Sequence, residues 1–255
     1  MNPMPARPGA VVVATNADNP TQFAYAAAER VAELIRADGR FEPIEFLPHD
    51  PATNLSAEFT CHRFERELRL AYFSAHGAAE KQDDNTYTGR GLTDRVGSDR
   101  LFLACRPSDT YHSDGVLFTS AVLIVNACLC DGRLPDLLVR QPAQVRAVIG
   151  YRHDLQVGTD AQLRRWLGSR YDEYREHFIA ALVQPIRSLL KGRSAQEARD
   201  DTFRLWCDLA DAIRRWRASD ASVDRLVLNI VVNNGFCLHL HFPQLPVSER
   251  LTVGG

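Results

Sequence analysis

Apolar positions along this chain fall into two alternating periods. Short apolar runs, Ala10 to Ala14 and Ala121 to Val125 unbroken, and Leu68 to Phe73 and Val145 to Tyr151 each interrupted by one arginine (Arg69, Arg146), read as strands, the Ala121 run as one buried on both faces. Between and after them come stretches of helical period. Phe23, Ala27, Val31, Leu34 and Ile35 recur at helical spacing, closed by Gly39. Asn19 and Pro20 read as the N-cap and first residue of that helix. Phe41 to Leu47 reads as a strand, at a sheet edge because of Pro43. Asn54 to about Glu67 reads as a second helix, and Leu134 to Arg140 as a short one. Asp160 opens a long amphipathic helix interrupted at Gly168 and Pro185, and Ala195 to about Trp216 forms another. Strands alternating with helices in this order predict an α/β fold with a mainly parallel sheet.

Two segments depart from the alternation. From Ala78 to Gly115 the chain is polar and turn-rich, with one apolar stretch from Leu101 to Cys105; it reads as a hairpin or flap at residues 78–115. Near the end, Asp224 to Val232 and Phe236 to Phe242 flank Asn233, Asn234 and Gly235, which predicts a C-terminal hairpin at 224–242. No Gly/Ser/Pro-rich linker or repeat divides the 255 residues, so one domain spanning 1–255 is expected.

The ends of two apolar runs carry the chemistry. Leu68 to Ala75 leads into His76 and Gly77; Ala121 to Ala127 leads into Cys128, with Cys130, Asp131 and Gly132 following. Open α/β sheets place reactive groups just beyond the carboxyl ends of their strands. An imidazole within hydrogen-bond reach of a thiol lets it attack as the thiolate. Taken singly, Cys128 reads as a small buried hydrophobe and His76 as a ring satisfied by backbone. Taken together, at matching strand ends each followed closely by glycine, they suggest a nucleophile and its base.

Composition narrows the field. The net charge of −2, with arginines interleaved among Asp and Glu, gives no nucleic-acid signature. No apolar run is long enough to span a membrane, and no basic, apolar leader precedes Ala10. The six scattered cysteines are expected reduced, in a cytoplasmic setting. Cys237, His239 and His241 alternate and could join Cys128 and Cys130 in a metal site. No CxxC or HxxxH spacing supports this, so no metal and no cofactor is assigned. Thiol-redox or metal binding through Cys128 and Cys130 stays as an alternative.

Tyr72 to Gly77 and Leu123 to Cys128 resemble the caspase-fold cysteine peptidases of clan CD, in particular the CHAT branch, bacterial caspase-like domains related to separase. That family pairs a His-Gly with a later Ala-Cys. Its further features are matched by a strand ending at Gly150, an acidic helix start at Asp160, and Leu189 to Ala198, which carries Gly192 and Ser194. The likeness spans roughly Val11 to Ala198. It departs from the family at Asn126, where Ser is usual, and at Gly132, where the glycine after the cysteine is displaced.

The resemblance implies a three-layer α-β-α sandwich and cofactor-free endopeptidase chemistry. In that chemistry Cys128 attacks, His76 moves the proton, and the N–H groups of Gly77 and Cys128 hold the oxyanion. Asp131, Arg152 and Asp154 are the candidates for the substrate pocket; acids there imply a basic residue before the cut, and Arg152 an acidic one. The implied partner is a protein substrate, such as a pore-forming or regulatory protein encoded nearby, in bacterial antiphage defence or programmed cell death. A catalytically silent scaffold that binds a partner through the same cleft is the alternative from another class.

Overall fold

The computed structural model describes residues 6–16, 18, 22–50, 52–62, 64–65, 67–81, 87–93, 101–104, 121–127, 145–152 and 155–241. The elements run β1 (Gly9–Ala14), α1 (Gln22–Asp38), β2 (Glu42–Phe46), α2 (Leu55–Cys61), β3 (Leu68–Lys81), β4 (Tyr87–Thr93), β5 (Leu101–Ala104), β6 (Val122–Ala127) and β7 (Ala147–Tyr151). Then follow α3 (Asp160–Leu167), a 3-10 turn (Gly168–Arg170), α4 (Tyr171–Leu190), α5 (Ala195–Ser219), α6 (Arg225–Cys237) and β8 (Leu238–His241). The expected helix cap at Asn19 and Pro20 and the expected short helix at Leu134 to Arg140 lie outside the described residues.

The main sheet has the strand order β2-β1-β3-β6-β7-β8. All neighbouring pairs are parallel except β7 with β8. Every residue of β1, β6 and β7 is buried, which is why these strands are unbroken apolar runs rather than alternating ones. Alternate side chains feed two cores. Ala10, Val12, Tyr72, Ile124 and Ile149 pack with α1 and α3 to α6, whereas Val11, Phe73, Val125 and Val148 pack with Leu55 and Phe59 of α2. Helices thus flank the sheet on both faces, giving a three-layer α/β sandwich. As Pro43 suggested, β2 is an edge strand.

The joint between α4 and α5 explains the glycine and serine of the Leu189 to Ala198 stretch. Gly192 takes φ +79°, a left-handed conformation open to glycine, and so turns the chain out of α4. Ser194 then caps α5: its hydroxyl accepts from the Glu197 N–H while the Glu197 carboxylate accepts from the Ser194 N–H. The α5 helix packs along α4 through Trp206, Leu209 and Ile213, with Phe178 edge-on to Trp206 at 5.0 Å.

Two expectations are corrected. The helix expected from Asn54 to about Glu67 stops at Cys61, because His62 turns to extended backbone. Phe64 then folds back onto Phe59 at 5.6 Å between ring centres, which sends the chain into β3.

The C-terminal hairpin is also absent: residues 225–237 are helical, and only β8 is a strand. Asp224 caps this helix by accepting from the Leu226 N–H, and Val227, Val231, Asn234 and Gly235 are buried at helical spacing. The Asn-Gly pair serves packing instead of a turn. The Asn234 side chain bonds both the N–H and the C=O of Gln156, at 2.8 and 2.9 Å. At Gly235 a Cβ would stand 3.2 Å from the Cβ of Trp206, so glycine lets α5 and α6 close.

Gly235→Val should therefore destabilise the fold by about 1–3 kcal/mol, the usual cost of overpacking. The check is the urea midpoint; an unchanged midpoint would mean that α5 and α6 are not packed through Gly235.

Candidate active site

The site is set by strand register. β3 and β6 pair in parallel from Leu70↔Val122 to Ala75↔Ala127, and β3 pairs with β1 as far as Ala14↔Ser74. Among the described residues, parallel pairing runs to Ser74 on the β1 side and to Ala75 on the β6 side, two residues and one residue before His76. The strand itself does not end there, contrary to the reading of His76-Gly77 as a terminus. β3 continues to Lys81 and changes partner: His76 faces Thr93, Gly77 faces Leu92 and Ala78 faces Gly91 in an antiparallel ladder with β4, to which β5 adds. Gly77, Ala78 and Gly91 carry little or no side chain, which permits this close continuation. The segment from Ala78 onward thus contributes strands, in its described parts, beside His76.

Below this level lies a buried polar tier. Ser74 and Asn126 are register partners, and both are buried. The Asn126 Nδ2 donates to the hydroxyl of Tyr72, 2.8 Å away and fully buried. Burial pushes the Tyr72 pKa well up, with the bond from Asn126 acting in the opposite sense, so the phenol stays neutral. Side chains repeat on one face every second residue. From Ser74 that step reaches His76; from Asn126 along the sequence it reaches Cys128. Cys128 lies outside the described residues, as do Cys130, Asp131 and Asp154.

His76 is largely buried, with its side chain 13% exposed, and its Nε2 stands 2.9 Å from the Asp18 Oδ2. This is an ion-pair distance, off the line of a hydrogen bond. Asp18 comes from the connection between β1 and α1. The Thr15 N–H bonds the Ser74 C=O at 3.1 Å, so the chain leaves β1 still attached to β3, and Asp18 follows three residues on. Sequence reasoning missed Asp18, because an acid just before Asn19-Pro20 reads as part of a helix start. The signal available was its position, within four residues of the end of the strand that neighbours β3.

Arg152 is not brought to this face. It follows β7, where alternation aligns it with Gly150 and Val148 of the opposite layer. Its Nη2 lies 2.8 Å from Nε2 of His239, which pairs with Gly150 from β8. His239 and His241 share that face with ring centres 4.6 Å apart, and Cys237 is the buried last residue of α6. Among the described residues no group of three His, Cys, Asp or Glu side chains is arranged to hold a metal ion. A cavity of about 290 Å³ between α5 and α6, lined by Phe203, Trp206, Val231 and Phe236, includes none of the candidate residues. Among the described residues no helix is long and apolar enough to cross a membrane.

Fold and site together define a three-layer α/β protein with a histidine and an acid at the carboxyl end of a parallel sheet. No protein-family model and no curated protein matches the chain.

The polar tier yields a prediction. Tyr72→Phe removes the acceptor of the Asn126 amide and leaves a buried donor unpaired, at a cost of about 1–3 kcal/mol. Tyr72→Phe combined with Asn126→Leu should recover part of that loss in denaturant titrations. Additive losses would show that the two side chains do not depend on one another.

Proposed function

We propose that the chain is a caspase-like cysteine endopeptidase with Cys128 as nucleophile and His76 as its base and acid. The observation that carries this reading is the in-register pairing of Ala75 with Ala127, each one residue before a member of the pair. Strands hydrogen-bonded in a sheet lie roughly 4.8 Å apart, a spacing that suits a thiol and an imidazole on adjacent strands.

The chemistry then runs in two stages. His76 takes the Cys128 proton, the thiolate attacks the scissile carbonyl, and the C–N bond breaks as the proton passes to the leaving amine. Water, deprotonated by His76, releases the acyl group and restores the thiol. The N–H groups of Gly77 and Cys128 are the oxyanion donors in this reading. The substrate is a protein, with a pore-forming or regulatory protein encoded nearby as the favoured class, and the setting is the cytoplasm in antiphage defence or cell death. Asp131 and Asp154 remain pocket candidates. Arg152, on the opposite face and engaged with His239, is set aside from the pocket.

The test uses thiol alkylation near pH 6, where an ordinary thiol of pKa about 8.5 is almost silent. Of the two cysteines whose exposure is described, Cys207 is exposed and Cys237 buried, so between them exposure alone predicts labelling of Cys207. The peptidase reading predicts labelling led by Cys128, weakened by His76→Ala, and substrate cleavage lost in Cys128→Ala. Labelling that follows exposure would remove the reading and favour the silent scaffold.

A further inference from the structure

We propose that Asp18 is a positioning residue for His76, extending the pair to a Cys-His-Asp arrangement in which Nδ1 of His76 is the working nitrogen. The proposal rests on the peptidase reading for its catalytic meaning; the contact itself stands apart from it.

The contact determines where the ring proton sits. An ionised carboxylate only accepts, so at 2.9 Å, even off the line of a hydrogen bond, it repels a lone pair on Nε2 and favours the ring form with the hydrogen there. In the neutral ring the lone pair is then on Nδ1. The ring is confined around that choice: Nε2 is buried, and β4 pairs alongside His76 through Thr93.

Among the described residues, the groups beside His76 are mostly uncharged. Thr93 faces it from β4, Thr15 ends β1, and Ser74 and Asn126 lie one tier below. Glu80 and Lys81 lie further along β3, four and five positions on. Among the described residues, Asp18 is the carboxylate at ion-pair distance from the ring. A carboxylate in that place favours the imidazolium that forms when Nδ1 takes the thiol proton. The proton moves from sulfur to Nδ1 and on to the leaving amine, while Nε2–H stays on the ring.

Asp18 also ties the base to the fold. It stands on the β1–α1 connection, three residues beyond the Thr15 to Ser74 bond, so two neighbouring strands hold the two partners.

The experiment has two arms on the full chain. In the first, nitrogen-15 NMR of the wild-type protein above the titration of the ring reports which nitrogen of His76 is protonated. The expected form is Nε2–H, and conversion to mixed tautomers in Asp18→Ala. In the second, the rate of Cys128 alkylation is followed from about pH 5 to pH 9. Without the carboxylate the imidazolium-thiolate state is less favoured, so Asp18→Asn should move the curve to higher pH by about one unit, and Asp18→Glu should restore part of the shift. A merely structural acid would change the unfolding midpoint and leave the curve in place. The proposal is overturned by an Nδ1–H tautomer in the wild type, or by superimposable curves for wild type and Asp18→Asn. If Cys128 shows no preferential alkylation at all, the peptidase reading fails on its own, and the tautomer arm still decides whether Asp18 sets the ring.

Discussion

The parallel pairing of β3 with β6 is the constraint on which the rest depends. Its register, Ala75 with Ala127, determines which residues emerge together at the carboxyl end of the sheet. A slip of one residue would turn each side chain of β6 to the other face. Such a slip would move Ile124 and Asn126 into the layer of Phe73 and Val125. It would also leave the buried Tyr72 hydroxyl without the Asn126 amide. Apolar burial on two faces and one polar contact therefore specify the same alignment, and the candidate chemistry inherits it.

The surrounding layers support that alignment unequally. On one face α1 and α4 to α6 form a deep core through Phe178, Trp206 and Ile213. On the other, α2 contributes Leu55 and Phe59 beside Phe46 and Phe73. His76 stands where three structures meet: the parallel sheet behind it, the antiparallel extension through β4 in front, and the β1–α1 connection bearing Asp18 at its side. A side chain bordered by three elements has little orientational freedom to lose.

The strands of the central sheet were legible because two-sided burial leaves an unmistakable apolar run, as in Val122 to Val125. The start of α5 was legible from Ser194 and Glu197, since capping chemistry is local. What failed was non-local. Asn234-Gly235 carries a turn signature, yet here the amide secures Gln156 and the glycine admits Trp206, partners 78 and 29 residues away in sequence. His76-Gly77 looked like a terminus because β4, which prolongs the strand, is a polar segment with weak strand character. Asp18 was invisible for the same reason: its partner lies on the third strand, and the adjacency of β1 and β3 appears only in the folded sheet. Arg152 was named as a pocket candidate without a face, because the alternation that aligns it with Val148 and the contact with His239 appear only in the folded sheet.

The alignment can be measured directly by replacing His76 with cysteine and asking which native thiol it captures. Neighbouring positions on adjacent parallel strands lie within the Cα separation of about 4.4–6.8 Å that a disulfide requires. Under mild oxidation, peptide mapping of His76→Cys should find position 76 joined to Cys128 in preference to Cys130, Cys105 or Cys207. A link to Cys130 in place of Cys128, or no intramolecular link while the protein remains folded, would contradict the register from which the site is built.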